Sequence, residues 1–215
     1  MQIETLTVGP FQSNCYIVGC EHTGDAIIID CGDEGSRILA AVQRLGVNVI
    51  AIVNTHTHLD HVAGLPEVVD ALKVPVLMHA ADMPVYEMIE AQAAMFGLVA
   101  PRRVDIDRFV EDGEKLEVGK LGAEVLLAPG HSPGSICLGF DAGEHRAVFA
   151  GDVLFRGSIG RTDLPGGSYE TIVESLRTVF VPMPDDTAVY PGHGPATTMG
   201  EEKRTNPFVT PLVGA

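Results

Sequence analysis

The hydrophobic pattern of the first quarter of the chain predicts four strands, with one helix between the last two. Apolar runs that are rich in β-branched residues and bounded by Gly or Asn are typical of strands. Such runs occupy residues 3–8, 15–18, 26–30 and 49–54. Apolar residues at helical spacing then recur at Ile38, Leu39, Val42 and Leu45. They predict an amphipathic helix over residues 33–45.

After residue 61 the pattern changes to helices separated by one short strand. Pro66 suits the first turn of a helix, and the apolar face that follows consists of Leu65, Val68, Val69 and Leu72. Residues 74–78 predict a short strand. Asp82 is expected to cap a further helix that ends at Gly97. The apolar face of that helix consists of Met88, Ile89, Ala93 and Phe96.

The second half of the chain repeats the order of strands followed by helix. Strands are predicted at residues 116–118, 123–128, 135–140, 146–150 and 187–190. Ser168 is expected to begin a helix, and Thr198 with Glu201 forms a capping box for a short last helix. Two sheets packed face to face with helices outside would bury these apolar faces. No Pro/Gly/Ser-rich linker divides the chain, so we expect a single domain over residues 1–215.

The composition is that of a globular protein, with 46% hydrophobic and 20% charged residues. The net charge is −15 and no Lys or Arg cluster occurs, so nucleic acid is not an expected partner. No apolar run approaches membrane-spanning length, and the start of the chain lacks a secretory pattern. These features predict a cytoplasmic protein without a membrane partner. The four cysteines form no Cys-x-x-Cys pair and are expected to be free and buried.

Histidines are the most informative residues of the chain. Residues 55–61 read Thr-His-Thr-His-Leu-Asp-His, which places four potential metal ligands within six residues after an apolar run. Three further candidates are His131, Asp152 and His193, each of which follows a strand-like run and adjoins a glycine. Seven candidates at strand-to-loop junctions are difficult to explain by packing. The sequence therefore predicts a metalloenzyme.

The spacing of these candidates favours two metal ions. His56 and His58 point the same way if the backbone is extended, whereas Asp60 and His61 lie on the turn into the next helix. We assign the first ion to His56, His58 and His131, the second to Asp60, His61 and His193, and the bridging position to Asp152. Two ions about 3.5–4 Å apart can share a hydroxide, which then acts as the nucleophile.

The chemistry of the ligand set limits the choice of metal. It contains imidazoles and carboxylates but no thiolate, which fits Zn, Fe or Mn. The expected cofactors are two divalent ions, with Zn first and Fe or Mn as alternatives. The remaining histidines, His22, His79 and His145, lie outside the pattern and are expected on the surface or in turns.

The motif T-H-x-H-x-D-H, followed by separate His, Asp and His residues, resembles the metallo-β-lactamase-fold superfamily over essentially the whole chain. The resemblance implies an α/β (α+β) fold, a four-layer αβ/βα sandwich with the metals at one edge between the sheets. Within the superfamily the chain is similar to the glyoxalase II (hydroxyacylglutathione hydrolase) branch, especially its short bacterial YcbL-type proteins. This likeness is carried by residues 11–16 (FQSNCY), 95–98 (MFGL), 160–163 (GRTD) and 206–208 (NPF).

Two regions differ from full-length glyoxalase II. That enzyme binds glutathione through basic residues of a C-terminal helical domain. Only 22 residues follow His193 in this sequence, which are too few for such a domain. In the loop after Asp152, Arg161 keeps a basic position while Thr162 and Asp163 replace two aromatic residues. Arg161 and Asp163 are the expected substrate-binding residues, since a guanidinium suits a carboxylate. The alternative is an ion pair between them that fixes the loop.

The resemblance implies a small-molecule thioester as substrate. The first hypothesis is hydrolysis of an acyl thioester, S-D-lactoylglutathione above all, in which Asp60 holds the second ion and orients the hydroxide. The alternative, implied by Gly-Arg-Thr-Asp, is a persulfide dioxygenase with one iron on His56, His131 and Asp152. A third hypothesis is a metal-stabilised binding domain without turnover. All seven ligand positions hold residues that can bind a metal, which argues against it. β-Lactamases of this fold typically replace the bridging Asp, so Asp152 argues against antibiotic hydrolysis.

Overall fold

The computed structural model describes residues 1–143 and 145–214, which form two six-stranded sheets and a small hairpin. The first sheet contains, in spatial order, β1 (Gln2–Val8), β2 (Ser13–Gly19), β3 (Asp25–Ile29), β4 (Asn48–Val53), β5 (Val76–Met78) and β6 (Arg108–Phe109). Strands β1 to β3 are antiparallel and β3 to β6 are parallel. Five helices connect the parallel strands: α1 (Gly35–Leu45), α2 (Leu59–Val62), α3 (Leu65–Leu72), α4 (Met83–Glu87) and α5 (Ile89–Met95).

The rest of the chain builds the second sheet. Its elements are β7 (Lys115–Val118), β8 (Leu121–Leu127), β9 (Ile136–Asp141), β10 (Arg146–Gly151), the hairpin β11 (Leu154–Phe155) and β12 (Ser158–Ile159), α6 (Tyr169–Ser175), β13 (Ala188–Pro191), β14 (Thr197–Thr198) and α7 (Met199–Thr205). The spatial order is β14-β13-β10-β9-β8-β7, and β10 and β13 are its one parallel pair among the described strands. A π-helical turn, Leu176–Phe180, extends α6.

Three apolar layers hold the sheets and helices together. The middle layer lies between the sheets and includes Tyr16, Phe149 and Tyr190, whose rings contact one another. The outer layers lie under the helices and include Ile38 on one side and Phe180 on the other. Burial of both faces of each sheet is the driving force expected for this arrangement. The predicted αβ/βα four-layer sandwich is confirmed.

Two of the predicted helix starts are confirmed by their caps. The Thr171 N–H donates to Ser168 Oγ at 3.2 Å, so Ser168 caps α6. The Glu201 N–H donates to Thr198 Oγ1 at 3.3 Å, which caps α7. The four cysteines are free and buried, as predicted.

The cap predicted at Asp82 is wrong. Its carboxylate makes no capping bond, and the ring of His79 instead accepts from the Ala81 N–H at 3.3 Å. The predicted single helix is also divided at Met88 into α4 and α5. The strands β6, β11, β12 and β14 were not predicted, because two residues are too short to show an alternating pattern.

The fold brings the ends of distant strands to one edge of the sandwich. The backbone of Ser13 pairs with that of His193, and the Ile136 N–H donates to the Thr55 carbonyl at 2.9 Å. These bonds join the two sheets beside the histidine motif. Among the described residues, no helix is long and apolar enough to cross a membrane.

Candidate metal centre

The seven predicted ligands lie just beyond the ends of four strands. His56 to His61 follow β4, and the other three positions follow the second sheet, His131 after β8, Asp152 after β10 and His193 after β13. Loops at strand ends can carry polar side chains without disturbing the sheet, which is why such edges hold functional sites. The structure brings all seven side chains together.

The first group consists of His56, His58 and His131. One ring nitrogen from each lies within 4.8 Å of the others. The His58 Nδ1 and His131 Nε2 atoms are 2.8 Å apart, and the three rings meet edge to face. All three side chains are buried. This is the set that the sequence assigned to the first ion.

The second group consists of Asp60, His61 and His193, the set assigned to the second ion. His193 Nε2 lies 3.0 Å from Asp60 Oδ2 and 3.3 Å from His61 Nε2. His61 Nε2 is 3.7 Å from Asp60 Oδ2. Asp60 and His193 are partly exposed, so this group faces solvent while the first is enclosed.

Asp152 lies between the two groups. Its Oδ2 atom is 3.6 Å from His131 Nε2 and 3.5 Å from His193 Nε2. Its Oδ1 atom is 3.4 Å from His61 Nε2. One carboxylate therefore contacts a member of each group, which is the geometry that a bridging ligand requires.

The donor set fits divalent metal ions. Buried polar atoms are normally hydrogen-bonded, yet His56 Nε2 and Asp152 Oδ1 have no hydrogen-bond partner in the described structure. Both atoms belong to the cluster of imidazoles and carboxylates. Ligation of a cation would satisfy them and would separate the closely spaced nitrogens of His58 and His131.

Hydrogen bonds on the far side of the rings orient them. His131 Nδ1 donates to the Arg161 carbonyl at 2.8 Å, and His193 Nδ1 donates to the Phe11 carbonyl at 3.1 Å. Each bond fixes the proton on Nδ1 and leaves the Nε2 lone pair for a metal. The role of the Phe11 carbonyl could not be predicted from the sequence, because a backbone carbonyl has no residue signature.

Asp30 and Thr55 form a second support that the sequence analysis missed. Asp30 Oδ2 accepts from His61 Nδ1 at 2.9 Å and from Thr55 Oγ1 at 2.7 Å, while Oδ1 accepts from the Thr55 N–H at 2.7 Å. Asp30, His56 and His61 also lie close enough together to form a third group of donors. His61 turns Nδ1 toward Asp30 and Nε2 toward Asp60 and His193, so Asp30 orients the ring for the second group. The sequence signal that could have identified Asp30 is its position at the end of the predicted strand 26–30, where its backbone adopts a left-handed φ of 57°.

Asp82 joins the two loops that carry the first group. Its Oδ2 atom accepts from the Thr57 N–H at 2.6 Å and from Thr57 Oγ1 at 2.8 Å. Its Oδ1 atom accepts from the Gly134 N–H at 2.9 Å. Thr57 lies between two metal candidates and Gly134 follows His131 closely, so a fully buried carboxylate ties the loops together.

The charges of the cluster are arranged to attract a cation. Burial lowers the pKa of His56, and it lowers the pKa of His58 to about 4, so both rings are neutral near pH 7. Burial alone would raise the pKa of Asp152, but His61 and other nearby histidines outweigh it and hold the pKa low. The pKa of His61 is raised because Asp152 and Asp60 outweigh its burial. Neutral imidazoles and ionised carboxylates are the forms that bind metals, so His56, His58 and Asp152 are already in the binding form, whereas His61 would release a proton when an ion binds.

The cluster forms the floor of a cleft of about 420 Å³. Arg161 lines this cleft, but its guanidinium makes two parallel bonds to Asp163, Nε to Oδ1 at 2.7 Å and an Nη to Oδ2 at 2.8 Å. The ion pair lowers the pKa of Asp163 to about 2. The structure thus places Arg161 at the cleft and Asp163 against its side chain. This is the pairing that the sequence left as the alternative to substrate binding.

Gly192 marks how closely the backbone approaches the cluster. A Cβ atom added there would overlap Asp152 Oδ1 and lie 2.8 Å from His61 Cε1. We expect Gly192→Ala to lower kcat/KM by about 10–100-fold, since small misplacements of reacting groups have effects of this size. Steady-state kinetics and the metal content of the purified variant check this. Gly122→Ala is the control, because nothing lies within 4 Å of a Cβ there, and equal kinetics for both variants would contradict the prediction.

The fold and the ligand set together define a metal-dependent hydrolase. A sequence profile described as the metallo-beta-lactamase superfamily matches residues 8–193. The chain is also 40% identical over 211 residues to the hydroxyacylglutathione hydrolase GloC of Haemophilus influenzae, covering 97% of this chain and 98% of GloC. The chain belongs to the metallo-beta-lactamase superfamily.

Solved structures give the same result. The B3 metallo-beta-lactamase BLEG-1 superposes with a TM-score of 0.90 at 31% identity, covering 97% of this chain and all of BLEG-1 (100%). The di-iron-bound form of TTHA1623 has a TM-score of 0.86 at 42% identity, covering 95% of this chain and 99% of its own. ETHE1 from Myxococcus xanthus has a TM-score of 0.79 at 27% identity, covering 99% and 90%.

Proposed function

We propose that this chain is a binuclear-metal hydrolase of small acyl thioesters, with S-D-lactoylglutathione as the leading substrate. The observation that carries the proposal is the pair of three-ligand groups that share Asp152 at the floor of one cleft. The likeness to GloC, which is named for hydroxyacylglutathione hydrolysis, supports the choice of thioester. We propose Zn as the metal, and the di-iron form of TTHA1623 makes Fe the first alternative.

The residues of the chain prepare the site for this reaction. His56, His58 and His131 would hold one ion, and Asp60, His61 and His193 the other. When bound, such ions act as Lewis acids that activate water and stabilise negative charge on the carbonyl oxygen and the leaving thiolate. Asp60 lines the cleft; burial alone would raise its pKa, but His61 and His193 outweigh burial and hold the pKa low.

Metal removal tests the proposal. We expect about two divalent ions per chain in the natively purified protein, measured by elemental analysis. Hydrolysis of S-D-lactoylglutathione should fall by about 10³-fold or more after chelation, because the ions supply several kcal/mol of transition-state stabilisation, and should return when metal is added. If the metal-loaded protein hydrolyses no thioester, lactone or phosphodiester, the proposal is wrong and a metal-stabilised binding domain is favoured. Nitrocefin in the same panel tests the expectation that β-lactams are not substrates.

Iron-dependent persulfide oxidation is the second candidate. The Gly-Arg-Thr-Asp sequence at residues 160–163 favours it. It predicts a single iron per chain, oxygen uptake with glutathione persulfide and no thioester hydrolysis. The complete second ligand group favours the binuclear hydrolase instead, because one iron on His56, His131 and Asp152 would leave Asp60, His61 and His193 without a role.

A further inference from the structure

The most exposed apolar side chains of the described structure are concentrated beside the metal cluster. Five of the eight large apolar residues with high exposure lie between residues 88 and 99: Met88, Met95, Phe96, Leu98 and Val99. Met88, Met95 and Phe96 line the catalytic cleft. Val99 is 94% exposed. Exposed apolar patches of this kind mark places where something apolar binds.

Helix α5 holds this segment in place over the cluster. The Gln92 side chain accepts from the Leu59 N–H at 2.9 Å and donates to the Val85 carbonyl at 2.8 Å. Leu59 lies between the metal candidates His58 and Asp60. The apolar side chains of α5 are therefore fixed relative to the reacting centre.

A second cavity of about 390 Å³ adjoins the cleft. The two cavities share Phe11, Leu59 and Asp60 in their walls, and Leu98 and Val99 line the second cavity alone. The rings of Phe11 and Phe96 meet edge to face, with centroids 4.9 Å apart, where the cavities adjoin. Apolar side chains thus line two adjoining cavities between the metal cluster and the 98–101 segment, with the Phe11 and Phe96 rings between them.

The charges along these cavities do not suit a polyanionic substrate. Arg161 is the only Arg or Lys among the described residues that line the two cavities, and Asp163 already neutralises it. Asp33 adds negative charge to the wall of the second cavity, whereas the charges of Asp60 and Asp152 would be offset by the ions that they hold. The substrate that binds most favourably at this site would carry a neutral apolar chain rather than several carboxylates.

We propose that the site prefers thioesters with an apolar acyl chain, which lies along Met88, Met95 and Phe96 and ends in the cavity beside Leu98 and Val99. This inference rests on the proposed thioesterase function and specifies its substrate class. In the reaction a water oxygen bonds to the acyl carbon and the carbon–sulfur bond breaks. Of the two protons of the water, one goes to the departing thiolate and the other is released to solvent. The products are a carboxylate with an apolar tail and a free thiol.

An acyl-chain series tests the inference. Thioesters of one uncharged thiol, N-acetylcysteamine, would be compared from acetyl to decanoyl with the metal-loaded protein. We expect kcat/KM to rise by about two- to fourfold per added methylene until the cavities are filled, since each buried methylene contributes a roughly constant free energy. Val99→Asp should flatten the rise beyond the first few carbons. Val213→Asp is the matched control, because Val213 is also exposed, at 47%, and lines neither cavity.

The possible outcomes distinguish failure of the apolar-chain inference from failure of the proposed thioesterase function. A flat series, with S-D-lactoylglutathione still hydrolysed, would overturn the apolar-chain inference and leave the thioesterase function standing. Absence of hydrolysis with every thioester would overturn both. If Val99→Asp converts a dimer to a monomer in light scattering while the series keeps its slope, a second copy of the chain covers this face and the inference is wrong.

Discussion

Asp152→Ala is expected to lower the kcat for thioester hydrolysis by about 10³-fold or more, the largest effect on turnover that we predict for a single substitution. The reason is the position of the Asp152 carboxylate, with Oδ2 3.6 Å from His131 Nε2 and 3.5 Å from His193 Nε2. Its removal deprives both ligand groups of a shared oxygen. We therefore also expect fewer than two ions per chain by elemental analysis.

The control for this variant is Asp186→Ala. Asp186 is exposed and pairs with Arg146 at 3.2 Å, away from the cluster. Surface pairs of this kind contribute little, so its kcat and metal content should match the wild type. An Asp152→Ala protein that is folded by circular dichroism and keeps both its ions and its kcat would contradict the shared-ligand arrangement.

The candidate ligands could be predicted from the sequence because residue type and spacing indicate their chemistry. His56, His58, Asp60 and His61 are adjacent along the chain, and a strand end is enough to bring them to one edge. The assignment of His131 and His193 to separate groups depended on the expected directions of the side chains in residues 56–61, with the backbone extended at His56 and His58 and a turn at Asp60 and His61. Their placement in the structure agrees with that assignment.

The supporting contacts could not be predicted, because they join residues that are far apart in the chain. The Phe11 carbonyl accepts from His193 Nδ1 across 182 positions, and Asp82 reaches Gly134 across 52. Nothing in the local pattern distinguishes such a carboxylate from a helix cap, which is how Asp82 was misassigned. Helix propensity correctly placed Asp82 at a helix start, but the tertiary bond determined where its side chain points.

The two cavities could not be predicted from the sequence either, because they also depend on the packing of residues that are far apart in the chain. Met95 and Phe96 fit the periodicity of a core helix equally well, and only the packing of α5 shows that they are exposed at the cleft. For Arg161 the structure distinguishes between two roles that the sequence left open. The motif at residues 160–163 allowed either a substrate contact or an ion pair, and the bidentate geometry with Asp163 shows the pair.

Asp82→Ala is expected to have the largest effect on stability, lowering the free energy of unfolding by about 3–5 kcal/mol. The substitution leaves the Thr57 and Gly134 N–H groups, which are bonded at 2.6 and 2.9 Å, without their acceptor in a buried site. Because these N–H groups belong to the loops of His58 and His131, the first ion should also be bound more weakly. Asp82→Asn keeps one acceptor oxygen and should lose less stability than Asp82→Ala. Denaturant unfolding and competition with a metal-binding dye measure the two effects.

Glu202→Ala is the control that distinguishes an effect of Asp82 on the positioning of the metal ligands from an effect on stability alone. Glu202 is also a fully buried carboxylate, and it accepts from the Gly157 N–H at 2.8 Å, from Thr197 Oγ1 at 2.7 Å and from Asn206 Nδ2 at 2.8 Å. It bonds to none of the metal ligands or their neighbours, so its loss should destabilise the fold by a similar amount while metal affinity stays unchanged. If both variants lose stability and neither loses metal affinity, Asp82 stabilises the fold without positioning the ligands. Loss of affinity in Asp82→Ala alone, with partial recovery in Asp82→Asn, is the result that the bonds to Thr57 and Gly134 predict.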